Sequence, residues 1–194
     1  MKPLSSMNYY GDFIAYPALI LGASVQGLTQ AHIAPIQSWL TAATAGIVMW
    51  TLIEYLMHRY AFHRSGPLVA LHALHHQSPT ALIGAPTWLT LGTLAMAILL
   101  PLGYLWSWNV ARGFTTGVMA GYLWYVIVHH LVHHGVSVAW LRRLPARRGY
   151  HLRHHYARQP GNFGVTSDVW DRIFSTRLRT AGAPQGESAG RVDR

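Results

Sequence analysis

The apolar positions of this chain gather into four runs. The first, from about Phe13 to Leu28, is short and interrupted by Pro17, Gly22 and Gly27, which suits a tilted or re-entrant helix. The second runs from Ile36 to Met57 with Glu54 as its one charge, and the third, from Leu82 to Trp106, carries none. A membrane-spanning helix needs about 20 apolar residues, so these two qualify outright. The fourth, from about Phe114 to Val128, reaches that length only by running on into a histidine-rich end. The pattern predicts an all-α integral membrane protein with about four transmembrane or re-entrant helices. The start does not read as a cleaved signal peptide, because Lys2 is the only early positive charge and polar residues interrupt the segment before Phe13. Residues 179–194, rich in Gly, Ala, Ser and Arg, read as a disordered tail. No internal repeat is visible.

Composition sharpens this picture. Apolar residues make up 51% of the chain and charged residues 11%, against about 25% charged in an ordinary soluble domain. Eight Trp and ten Tyr suit the membrane–water interface, where a ring lies in lipid and its polar tip meets water. The formal charge of +9 would suit nucleic acid, but its placement argues against such a partner. Arg59, Arg64, Arg142, Arg143, Arg147, Arg148, Arg153 and Arg158 follow apolar runs, where positive-inside topology puts them. The exits of runs two and four and the entry to run three then share one cytoplasmic face, of a bacterial inner membrane or an endoplasmic reticulum. A histidine-rich cap lies on that face.

Thirteen histidines are far more than packing needs, and twelve of them fall in four clusters. These are His58-Arg-Tyr-Ala-Phe-His63, His72-Ala-Leu-His75-His76, His129-His130-Leu-Val-His133-His134 and His151-Leu-Arg-His154-His155. His32 stands apart and reads as an interfacial residue. On a helix, positions i, i+3 and i+4 lie on one face, which makes a unit of each His-x-x-His-His triplet and of the His129/His133 pair. His58 and His63, five apart, sit about 140° apart on an ideal helix; either they reach two metals or the helix unwinds between them. A single interfacial His is an ordinary polar cap, but neutral imidazoles massed at membrane depth need partners, and a metal supplies one. Imidazole suits iron, zinc and copper.

What is missing narrows the metal class. With no Cys, thiolate zinc sites and cysteine-held iron–sulfur clusters are excluded. The six acids are Asp12, Glu54, Asp168, Asp171, Glu187 and Asp193. They provide neither the Glu-x-x-His pairs of carboxylate di-iron bundles nor the His-Glu-x-x-His of a zincin. Paired carboxylates for glycoside hydrolysis are lacking as well. A multi-metal centre built from histidine alone remains.

The ordered set from His58 to His155 resembles the signature of the fatty acid hydroxylase/sterol desaturase superfamily of membrane di-iron enzymes. That signature is His-x3–4-His, then His-x2–3-His-His, a later His pair, and a second His-x2–3-His-His. Gly121-Tyr122-Leu-Trp-Tyr125 before His129, Gly161-Asn162-Phe163-Gly164, and Trp170-Asp171-Arg-Ile-Phe174-Ser-Thr176 are similar to the fatty acid 2-hydroxylases. The resemblance spans about residues 50–178, departs at Val126, where those enzymes often carry Asp, and has a shorter gap between His63 and His72. That gap, with His129 and His134 as an alternative pair, is also similar to carotenoid hydroxylases.

The resemblance implies ten metal ligands: His58, His63, His72, His75, His76, His129, His133, His151, His154 and His155. His130 and His134 are second choices. Residues 1–178 are then a membrane di-iron hydroxylase domain, an O2-dependent monooxygenase that hydroxylates or desaturates a lipid, foremost a fatty-acyl chain. Zinc can replace the two irons in purified protein, since imidazole accepts both. The chain holds no dinucleotide loop, haem domain or cysteine cluster, so electrons come from a partner, a ferredoxin or a cytochrome b5-like protein with its reductase.

Several other residues carry two readings. Glu54, one turn before His58, either hydrogen-bonds a ligand imidazole or pairs with Arg59. Asp171 either orients a ligand or serves as a cap or arginine partner. Tyr122 and Tyr125 line a substrate path or simply pack, and Gly161 and Gly164 serve a turn. Two other functional classes are distinguishable: a bis-histidine membrane cytochrome would show a Soret band, and a non-catalytic metal transporter would need a polar transmembrane path.

Overall fold

A computed structural model describes residues 5–30, 32–64, 66–135 and 144–178, with side chains from 146 in the last stretch. The tail 179–194 and the arginines Arg142 and Arg143 lie outside the described residues. Every regular element among the described residues is helical. In chain order they are α1 Ser6–Tyr10, α2 Asp12–Leu28, α3 Ile33–Leu56, α4 Leu68–Gln77, α5 Thr87–Leu94, α6 Leu100–Leu105, α7 Trp108–His134, α8 Leu144–Tyr156 and α9 Val169–Ile173. Two π-helical turns intervene: Met57–Phe62 prolongs α3, and Ala95–Leu99 joins α5 to α6.

Two of these rods are long and apolar enough to cross a membrane, Ile33–Phe62 and Thr87–Leu105. The second has only 6% of its most apolar window buried inside the protein, which sets it apart from the core helix of a soluble domain. Its two ends carry exposed Trp88, Tyr104 and Trp106, amphipathic rings of the kind that mark both edges of a bilayer. Ile14, Leu21, Ile33 and Val48 also face outward. Apolar surface of that extent belongs against lipid. The apolar run expected from Leu82 turns helical only at Thr87, because Pro86 holds an extended backbone (φ −62, ψ 142) and lacks the N–H of a helix interior. The interrupted first run forms the continuous 17-residue α2 despite Pro17.

Helix α7 is the spine, packing on α3, α2, α6 and α8. Its start is fixed by Ser107, whose hydroxyl accepts from the Val110 N–H, and its end by Gly135 in the left-handed region at φ 69. Gly113, Gly117 and Gly121 recur every fourth residue on the face toward α3. A Cβ at Gly117 would lie 1.9 Å from the Ala43 carbonyl oxygen, so the backbones touch there. In lipid, where burial supplies no drive between helices, small residues that allow such approach hold the bundle together. This close contact brings the histidine ends of α3 and α7 into register at one end of the bundle.

Candidate metal centre

Four elements deliver histidines to that end: the π-turn after α3, then α4, the last turns of α7, and α8. The π-turn resolves the five-residue spacing. Its i→i+5 geometry widens the helix, so His58 and His63 fall into one group rather than on two metals. The ligand nitrogens of His58, His63, His72, His76 and His154 all lie within 4.8 Å of one another, as do those of His75, His129, His133, His151 and His155. All ten residues singled out by the resemblance are thus gathered, five to a group. Each triplet is split between the groups: α4 sends His72 and His76, one turn apart, to the first and His75 to the second. Helix α8 does the converse, with His151 and His155 in the second group and His154 in the first. The His76 and His155 rings stack at 4.1 Å where the groups adjoin.

The donor set fits cations. In the first group, Nε2 of His72 lies 3.1 Å from that of His58 and 3.0 Å from those of His63 and His76. Nε2 of His154 lies 3.1 Å from those of His63 and His76. In the second, His133 lies 3.2 Å from His75 and 2.9 Å from His151, which lies 3.0 Å from His155. Metal–imidazole bonds of about 2.1 Å set neighbouring nitrogens about 3.0 Å apart at right angles. The protons agree. His58 Nδ1 lies 2.5 Å from the Phe163 carbonyl and His154 Nδ1 2.8 Å from that of Gly161. A carbonyl only accepts, so each Nδ1 donates and leaves a lone pair on the Nε2 of the neutral ring. Lone pairs facing one another at 3 Å repel unless a cation sits between them.

The 161–166 loop that offers these carbonyls is itself held by two buried carboxylates. Glu54 Oε1 accepts from the Val165 and Thr166 N–H groups at 2.6 and 2.9 Å, and Oε2 accepts from the Thr166 hydroxyl at 2.5 Å. Asp171 accepts from the Phe163 and Gly164 N–H groups at 2.9 and 2.8 Å and from the Thr176 hydroxyl at 2.7 Å. Neither acid touches an imidazole; both act one step removed, through the loop backbone. Arg59 donates to Tyr55, not to Glu54. Gly164 is obligatory, because a Cβ there would meet the Ser167 carbonyl at 1.8 Å, and Asn162 takes the left-handed conformation at φ 55. Tyr125 stacks on His129 with ring centres 5.5 Å apart.

His130 and His134 stay outside both groups. They stack on each other at 4.2 Å, and the Tyr9 hydroxyl reaches His130 at 3.1 Å. His32 lies exposed at the start of α3.

A cavity of about 340 Å3 opens beside both groups, reached by His58 and His72 of the first and His75 and His129 of the second. Its walls are largely apolar, with Ile53, Phe62, Leu71, Leu89 and Leu94 among them. Val126 also lines it, and two carboxyl groups reach it, Asp12 from α2 and Glu54 from α3. Reading the sequence passed over Asp12, which precedes the first apolar run with no motif around it, and the two loop carbonyls, which no side-chain pattern announces.

Burial, reinforced by neighbouring imidazoles, pushes His63 down from its ordinary 6.5 to about 4, His75 and His154 to about 3, and His155 to about 2. The unfolded chain takes up these protons near 6.5, so the stability they confer is complete above that pH and is lost progressively below it. Metal-free protein in detergent should hold its melting temperature from pH 7.5 to about 6.5 and then melt at steadily lower temperature down to pH 5. A melting temperature that is flat or rises over that range would mean these rings are not held neutral.

A helical membrane protein with paired five-histidine groups fitted to metal ions, beside an apolar cavity, is the class defined by this fold and site. The fatty acid hydroxylase family model matches residues 43–176, and the chain belongs to that family. It is 33% identical over 162 residues to the dihydroceramide fatty acyl 2-hydroxylase FAH1 of Arabidopsis thaliana, covering 73% of this chain and 62% of that one. It is 36% identical to the ceramide very long chain fatty acid hydroxylase SCS7 of Saccharomyces cerevisiae (69% and 37% covered). With human fatty acid 2-hydroxylase the identity is 32% (68% and 38% covered). The chain therefore spans less than two thirds of these relatives. A solved structure described as full-length scs7p, with only its hydroxylase domain visible, superposes with a TM-score of 0.71 at 27% identity, over 88% of this chain and 67% of that one.

Proposed function

We propose that this chain hydroxylates a C–H bond of a fatty-acyl lipid with O2, at two iron ions. One iron is held by His58, His63, His72, His76 and His154, the other by His75, His129, His133, His151 and His155. The observation that carries this reading is the junction of ten convergent imidazoles with an apolar cavity. The relatives' names favour hydroxylation over desaturation and an acyl chain over a carotenoid, and His134, the alternative partner in the carotenoid reading, stacks on His130 outside both groups.

Reduced iron supplies the O2 activation that an unactivated C–H bond requires. The protein's own work is placement. Phe62, Leu71, Leu89 and Leu94 receive the acyl chain and exclude water from it. The Phe163 and Gly161 carbonyls fix the tautomers of His58 and His154. Electrons come from a separate donor, a ferredoxin or a cytochrome b5-like protein with its reductase. Helices α2, α3, α5–α6 and α7 lie in the bilayer with the histidine end cytoplasmic. Arg59 and Arg64, and Arg147, Arg148, Arg153 and Arg158 of the α8 region, cluster at that end and support this orientation.

The test is metal content after expression in iron-supplemented medium, together with the lipids of the expressing cells. The proposal expects about two irons per chain, no Soret band, and a lipid heavier by one oxygen atom. Metal and product should both fall in a His72→Ala, His151→Ala double variant. Unchanged metal in that variant, or a haem spectrum, would sink it.

A further inference from the structure

We infer that Asp12, braced by Tyr122, receives the polar end of the lipid by accepting a hydrogen bond from an uncharged donor, a hydroxyl or an amide N–H. This rests on the reading of the cavity as the lipid site. Asp12 opens α2, is 5% exposed, and lines the same cavity as His58, His72, His75 and His129. Its Oδ2 accepts from the Tyr122 hydroxyl at 2.5 Å. Its Oδ1 is fully buried and has no partner. Buried carboxyl oxygens are almost always bonded, and helix docking alone is served by Oδ2, which ties α2 to α7.

Most of the other acids and hydroxyls of the cavity are already engaged. Glu54 is saturated by the 161–166 loop, the Tyr9 hydroxyl meets His130, and the Tyr16 hydroxyl meets Thr90. Thr87 Oγ1 is a second buried oxygen without a partner, and it abuts Gly11: a Cβ on that glycine would lie 2.6 Å from it. Two unpartnered buried oxygens thus belong to neighbouring stretches of chain, and of the two residues Asp12 is the one that borders the cavity. An unpartnered carboxyl acceptor suits a head group that brings its own N–H or O–H. A fatty carboxylate or a phosphodiester brings no proton.

The distance fits a single ligand. Tyr122 precedes His129 by seven residues, about 10 Å along α7, and Tyr125 fills the interval, 6.3 Å from Tyr122 and 5.5 Å from His129. A donor held at Oδ1 leaves the adjoining stretch of the same molecule beside the histidines. Asp12 precedes the residues 43–176 that match the family model.

The test is equilibrium binding to the full, metal-loaded chain in nanodiscs. Three ligands with one acyl chain are compared: N-palmitoylethanolamine, methyl palmitate and palmitate. The wild type should bind the ethanolamide about tenfold or more tighter than the ester or the acid, the discrimination expected of one hydrogen bond to such an acceptor. Asp12→Asn turns the free acceptor into a donor and should bring the ethanolamide-to-ester ratio to within about twofold. Should that variant fail to fold, the wild-type comparison of the ethanolamide with its N,O-dimethyl analogue decides, because removing both donors must cost the same tenfold. Equal binding of all ligands by the wild type, or an unchanged ratio in the variant, overturns the inference and leaves the lipid cavity standing. Failure of every lipid to bind overturns both.

Discussion

His154→Ala and His151→Ala are each expected to lower hydroxylation by about 1,000-fold or more, while His134→Ala changes it by less than about threefold. Losing an outer partner of a metal ligand commonly costs about 10–100-fold, and losing a ligand should cost more. His151 and His154 lie among imidazoles, and His134, stacked on His130, lies next to His133 on the same turn of α7. Sequence proximity therefore cannot produce the difference; only membership of a five-nitrogen group can. The split of the α8 triplet adds a finer expectation. His154→Ala removes a nitrogen from the first group and His151→Ala one from the second, so each variant should retain about one iron per chain rather than none, with activity lost in both. Metal analysis of the purified variants checks this. If both variants keep two irons and full turnover, or if His134→Ala behaves like them, the ligand assignment fails.

The convergence of the histidines was legible in the chain because histidine spacing on a helix is a geometric statement. A set of i, i+3 and i+4 positions must share a face, so two triplets and a pair announce convergence before any coordinates exist. Their division between two sites was not legible. Positions i+3 and i+4 differ by about 100° of rotation, enough to send His75 and His76 to different groups, yet the sequence does not say where the neighbouring helices stand. The π-turn at Met57–Phe62 was equally hidden, since one extra residue in a turn leaves no compositional mark and shows only as an awkward spacing between His58 and His63. Long-range backbone contacts were out of reach for a simpler reason. Glu54 meets amides 111 residues later, and no local pattern encodes which loop a carboxylate will find. The Gly113, Gly117 and Gly121 repeat, by contrast, stood in plain view and would have identified the α7 face that packs on α3.

The second large effect concerns that loop. Glu54→Gln is expected to weaken metal binding by about 10–100-fold and to destabilise the fold by about 2–3 kcal/mol, although the side chain touches no ligand. Three donors converge on the Glu54 carboxylate, two backbone amides and the Thr166 hydroxyl, in a site 4% exposed. An amide side chain keeps one neutral acceptor for the two backbone N–H groups and turns its NH2 toward Thr166, whose hydroxyl must rotate to accept, so the charge-assisted bonds that hold the loop are lost. The loop must then shift, and with it the Phe163 and Gly161 carbonyls that hold Nδ1 of His58 and His154. Those two rings belong to the same group, so the loss should fall on the first metal site and spare the second. Asp171→Asn should act in the same direction, because its oxygens hold Phe163 and Gly164 from the other side. Competitive chelation of the purified variants, followed by metal analysis, reads the affinity of each site, and thermal unfolding reads the fold. A Glu54→Gln protein that binds both metals as tightly as the wild type would show that the loop holds its shape without the carboxylate. The histidines would then owe their orientation to helix packing alone.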